Sequence, residues 1–87
     1  MRMKRKKLFI RLARGDCRNV AFDDMKSLLI GFGFELDRVH GSHHIFRHEA
    51  IPEMLNLQES NGEAKPYQIR QFLRLVERHN LHFEEGK

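Results

Sequence analysis

Phe34-Glu35-Leu36-Asp37-Arg38-Val39-His40-Gly41-Ser42-His43-His44-Ile45-Phe46-Arg47-His48 is the stretch from which the fold is read. Apolar and charged residues alternate from Phe34 to Asp37, the pattern of a strand with one covered face, which predicts Phe34 and Leu36 inward. Gly41-Ser42 is a two-residue turn, so the chain reverses there and His43 to Arg47 pairs with the first strand as a hairpin. The second strand carries His43, Ile45 and Arg47 on one face and His44, Phe46 and His48 on the other. Alternation alone leaves the inward face open; with Phe46 as the core anchor, His43 and Arg47 share the outer one. Four of the six histidines fall between positions 40 and 48. Imidazole titrates near neutrality, so proton chemistry is most accessible here.

Outward from the hairpin, the flanking segments read as helices and one more strand. Leu8, Phe9, Leu12 and Ala13 gather on one side of a short helix ended near Gly15. Phe22, Met25, Leu28, Leu29 and Phe32 are spaced as the apolar stripe of a second helix, with Asp23 and Asp24 in its first turn. Ala21 stands where a capping Ser or Thr is expected, a loss on the order of 1 kcal/mol. After the hairpin, Pro52 precedes a third strand centred on Met54 to Gln58. Glu59 to Lys65 reads as a polar connector around the Asn61-Gly62 turn, with the sheet stopping before it. Pro66 opens a last helix where its missing N–H costs nothing, and Ile69, Phe72, Leu73 and Val76 form its core stripe. The result is an α+β fold in which helices cover one face of a three-stranded antiparallel sheet. Without the first helix, the order αβββα resembles a double-stranded-RNA-binding domain.

The 87 residues make one small domain, 1–87, with a single modest core. Lys and Arg number 16 against 12 Asp and Glu, a formal charge of +4. With a pI near 9.6, the chain suits a polyanionic partner. Part of the excess is the run Arg2, Lys4, Arg5, Lys6 and Lys7, which as a terminal tail is ordinarily solvated. Arg70, Arg74 and Arg78 recur every fourth residue along one flank of the last helix, with Glu77 placed to neutralise part of that strip. The single Cys17 cannot form an intrachain disulfide, so it reads as structural and the expected compartment is a reducing cytoplasm. Leu8-Phe9-Ile10 is too short for an export signal, and no run approaches the ~20 apolar residues that span a bilayer. No membrane association is expected.

Two functional uses of the histidine-rich hairpin can be weighed on the residues alone. A metal site needs converging ligands, whereas His44 and His48 lie ~13 Å apart on an extended strand, with no cysteine cluster beside them. Neither a metal nor another cofactor is expected. A non-catalytic RNA-binding module would use His43 only to hydrogen-bond the nucleic-acid backbone.

Gly33-Phe34-Glu35-Leu36, then Gly41-Ser42-His43-His44-Ile45-Phe46-Arg47-His48, then Lys65-Pro66-Tyr67-Gln68-Ile69-Arg70 and Leu75 together resemble the HicA-type toxins of bacterial toxin-antitoxin modules. The resemblance covers roughly 22–81; residues 1–21 look like an N-terminal extension. Its most specific part is Gly41-Ser42-His43, set after a Gly-Phe-Glu strand and ahead of a Lys-Pro helix start. It implies an mRNA-cleaving endoribonuclease with His43 catalytic, and a HicB-type antitoxin partner that covers the His43 site. The residues fit such cleavage without a metal: the 2′-OH must lose a proton, the leaving 5′-oxygen must gain one, and cations must stabilise charge on the phosphate. Arg47 on the same strand face as His43 is the first candidate for the charge step, with Lys65 and Arg70 at the start of the last helix behind it; Gly41, Ser42 and Arg74 complete the expected RNA-binding residues. Glu49, Glu53, Glu59 and Glu63 fall near the expected RNA path and would weaken binding.

Overall fold

The computed structural model describes residues 4–84; Arg2 of the basic run lies outside them. Three helices, α1 (Arg5–Ala13), α2 (Phe22–Gly31) and α3 (Pro66–His79), accompany an antiparallel sheet of β1 (Glu35–His40), β2 (His43–Arg47), β3 (Leu55–Ser60) and β4 (Glu63–Ala64). The strands lie in the order β1-β2-β3-β4. α3 packs on β3, α2 on β4, and α1 across α2 and α3. The sheet thus has four strands where the sequence predicts three. The reason is that Asn61-Gly62 closes a hairpin instead of ending the sheet. Asn61 and Gly62 take φ of 54° and 79°, the two left-handed positions of a type I′ turn, and Ser60 pairs with Glu63 across it. β4 is two residues long and half of it is a glutamate, so no apolar alternation announces it.

β4 also explains how α2 begins without a capping side chain. Ala21 makes no side-chain cap and instead bridges Glu63. The Phe22 N–H, one of the donors a helix start leaves orphaned, donates to the Gly62 carbonyl at 2.9 Å. The hairpin turn therefore supplies the acceptor that Ala21 lacks.

One core joins Leu8 and Leu12 of α1, Met25, Leu28 and Leu29 of α2, Phe46, Leu55 and Leu57 of the sheet, and Ile69 and Phe72 of α3. Ala13, expected on the apolar side of α1, is exposed. The N-terminal extension is integral to this core: Phe9 stacks on Phe32 at 5.0 Å between ring centres, and Phe32 on Phe83 at 4.4 Å. Arg5 Nε donates to Ser27 Oγ at 2.8 Å, and a side chain at Gly31 would press on Arg5 Cδ at 2.9 Å. Arg5, read as part of a solvated tail, is thus an anchor of α1 on α2.

Leu36 corrects a second expectation, since it is 49% exposed. The β1–β2 register shifts between Leu36 and Arg38, leaving Asp37 as the extra residue of a β-bulge. Leu36 remains on the helix side, opposite Phe46, but β1 is the edge strand and all six of its residues are exposed. The bulge also turns Arg38 and His40 to the other face, opposite Ile45 and His43. Strict alternation from Phe34 would have turned both toward the helices.

Candidate functional site on the open sheet face

The helices take the face of β2 that carries His44 and Phe46, continuing to His48 just past the strand end. His48 is 8% exposed. Its Nε2 lies 2.9 Å from the Phe32 carbonyl, and its Nδ1 accepts the Ala50 N–H at 3.0 Å. Those two backbone partners fix a neutral ring protonated on Nε2, which packs edge-on against Phe34. His44 meets the Phe22 ring at 4.8 Å between centres. Both imidazoles are structural.

His43 faces the other way. It closes the turn opposite His40, with Gly41 at φ 58° in the first central position, as a type II′ turn requires. His43 is half-buried, not the fully solvated residue that a turn position suggests. What covers it is β3: Gln58 is its register partner, and Asn56 is the diagonal neighbour. The Asn56 amide lies across His43 Nδ1, with Nδ2 at 3.0 Å and Oδ1 at 3.3 Å. His43 Nε2 has no partner among the described residues. Gln58 in turn is tied to the start of α3, its N–H donating to Oε1 of the buried Gln68 at 2.6 Å. Asn56, Gln68 and, through the bulge, Arg38 and His40 are the residues that sequence reading missed. Only Gln68 left a trace, as a polar residue on the core side of an amphipathic helix.

The predicted cations are dispersed. Arg47 shares the His43 face but lies at the far end of β2, four residues or ~13 Å away. It is held there by Glu35 at 2.9 Å and Asp37 at 3.7 Å. Arg78 donates to Glu53 at 3.0 Å, and His79 bonds the other Glu53 oxygen at 2.9 Å. The His79 bond holds the Glu53 carboxyl below its usual range, so the lower end of the basic strip is neutralised. Arg70 and Arg74 are exposed and Lys65 half-exposed. None of these three is ion-paired among the described residues, and the Arg74–Glu77 pair that their spacing suggests does not form. No hydrogen bond joins them to His43.

Among the described residues, no three His, Cys, Asp or Glu side chains are grouped to hold a metal ion. Cys17 is buried, and burial pushes its thiol pKa up, the opposite of what a reactive cysteine needs. No described helix is long and apolar enough to cross a membrane.

A small basic α+β chain with one sheet face covered by helices and a single oriented histidine on the other defines a compact class of protein. Residues 22–77 match the family described as HicA toxin of bacterial toxin-antitoxin, and the chain belongs to that family. No curated protein and no solved structure matches it. The matched span runs from the first residue of α2 into α3, and so contains the hairpin, His43 and Asn56. Membership makes the chain a toxin of a toxin-antitoxin system, which implies an antitoxin partner.

Proposed function

We propose that this toxin is an endoribonuclease that cleaves mRNA without a metal, with His43 as its catalytic residue and a HicB-type antitoxin as its inhibitor. The observation that carries the reading is the setting of His43. It sits on the uncovered sheet face with one ring nitrogen engaged by Asn56 and the other free of protein partners among the described residues. A neutral imidazole so held can take a proton at Nε2 from the 2′-OH of a bound ribonucleotide. The 2′-oxygen then bonds to the adjacent phosphorus as the P–O5′ bond breaks, and the proton passes from Nε2 to the leaving 5′-oxygen. The products are a 2′,3′-cyclic phosphate and a 5′-hydroxyl.

Arg38, brought to the same face by the bulge and paired there with Asp37 at 3.3 Å, is the cation closest in register to the reacting phosphate, and His40 lies beside it. Arg47 is too distant for that phosphate and grips the strand further along, exchanging its carboxylate partners for RNA. Lys65, Arg70 and Arg74 hold flanking phosphates, and Gly41 and Ser42 let the RNA backbone approach the turn closely. An antitoxin seated on this face blocks the imidazole and the cations together. Growth of bacteria expressing the chain tests the reading: wild-type protein arrests growth and His43→Ala does not. Purified His43→Ala protein that binds RNA as tightly as wild type but leaves it uncut separates a ribonuclease from a mere RNA-binding module.

A further inference from the structure

The geometry points to Asn56 as a positioning residue: it holds the His43 ring through Nδ1 and so makes Nε2 the one nitrogen that exchanges protons with RNA. This rests on the ribonuclease reading above. Asn56 is well placed for the task. It stands in β3 between Leu55 and Leu57, both fully buried, so its backbone cannot drift. Its amide contacts Nδ1 with both ends, Nδ2 at 3.0 Å and Oδ1 at 3.3 Å. An asparagine amide is an acceptor at one end and a donor at the other, and a half-turn about its last bond exchanges them. With Oδ1 presented, Nδ1 carries a proton and Nε2 is a bare base. Once Nε2 has taken the 2′-OH proton, the imidazolium still donates Nδ1–H to Oδ1, and Nε2 delivers its proton to the 5′-oxygen. The same Oδ1 acceptor thus serves both the base and the acid form of a single histidine.

The neighbours do not offer a substitute. The groups facing His43 from the flanking strands are His40, its register partner in β1, and the neutral Asn56 and Gln58 in β3. The next charges are Arg38, opposite Ile45, and the Asp37 carboxylate paired with it at 3.3 Å. His40 is the titrating group to be separated from His43, so the NMR titration is made in a His40→Gln background and the cleavage assays with His40 intact.

The experiment follows the His43 ring nitrogens by ¹⁵N NMR against pH in the full chain, comparing Asn56, Asn56→Asp and Asn56→Val; valine suits a strand and keeps the fold. Asn56→Asp, which sets a carboxylate against Nδ1–H, should raise the His43 titration midpoint by about half a pH unit or more and hold the neutral ring in its Nδ1–H form. Asn56→Val should give the tautomer mixture of an unrestrained imidazole. In cleavage assays, Asn56→Val should lower kcat about tenfold or more with KM within about twofold, and Asn56→Asp should move the acid limb of the pH profile by the same increment as the midpoint. If Asn56→Asp and Asn56→Val leave the midpoint and both nitrogen signals where the parent has them, Asn56 does not position the ring. If the signals shift as stated but wild-type protein with His40 intact cuts no RNA, the pairing stands and the ribonuclease reading is what fails.

Discussion

His43 and His48 lie five residues apart on one hairpin arm and end on opposite faces of the sheet with opposite fates. His48 spends both ring nitrogens on backbone groups, bracing the end of α2 against the loop after β2. His43 spends one nitrogen on a side chain and leaves the other open. The same residue type is thus a rivet on the covered face and a candidate acid-base group on the open one. What separates them is the period of the strand, with Phe46 fixing which face goes inward. A count of histidines carries no such information.

Exchanging the two roles by mutation is the most severe test of that contrast. His43→Ala should reduce RNA cleavage by a factor on the order of 10² or more while moving the thermal midpoint by only a few degrees, because a half-buried group with one hydrogen bond contributes little to packing. His48→Ala should do the reverse. It strands the Phe32 carbonyl and the Ala50 N–H and removes the ring against Phe34, a loss of about 2–3 kcal/mol, or roughly 8–24 °C in midpoint. Cleavage per folded molecule should survive. Calorimetry and cleavage rates on the same preparations read both sides; a His48→Ala protein that stays fully stable but inactive would invert the face assignment.

Finer contrasts concern charge. Arg70→Ala and Arg74→Ala should each weaken RNA binding several-fold and flatten the salt dependence by about 0.7 in the logarithmic slope, the release expected for one single-strand phosphate contact. Arg47→Ala should do less, since Glu35 and Asp37 already offset its charge. Fluorescence titrations over a salt series distinguish the two. The smallest effect belongs to Glu53. Its carboxyl is held below the ordinary value near 4.5 by His79, with Arg78 adding to the shift. A depressed carboxylate stabilises the fold above its unfolded pKa and loses that stabilisation as pH falls through the folded one. The melting difference between wild type and Glu53→Gln should therefore be present at pH 6 and shrink toward pH 3. A difference that grows on acidification would mean that the pair with His79 is not formed.

Much of this was legible beforehand because long apolar periodicities are hard to misread. The stripe of α3, the stripe of α2 and the Gly41-Ser42 reversal all stand where the sequence puts them. The misses share a cause, namely that they depend on contacts between distant segments. β4 exists because Ala21 bridges it and Val20 accepts a bond from Ala64, and two residues carry no period of their own. The bulge at Asp37 is set by how β1 meets β2, and it alone delivers Arg38 and His40 to the open face. Asn56 is an unremarkable polar residue in a strand until the diagonal register places it on His43. The recognisable Gly-Ser-His element marked the histidine, but nothing local could mark its partner.

In the proposed mechanism His43 moves the proton of a ribose hydroxyl with no metal in the step. The direct measurement is cleavage of a defined synthetic RNA by wild-type and His43→Ala protein in excess chelator, with the fragment ends identified by mass spectrometry. Wild type should cut and leave 2′,3′-cyclic phosphate and 5′-hydroxyl ends, while His43→Ala should be inactive. Undiminished cutting by His43→Ala, or wild-type activity that stops in chelator and returns with added zinc or magnesium, would contradict it.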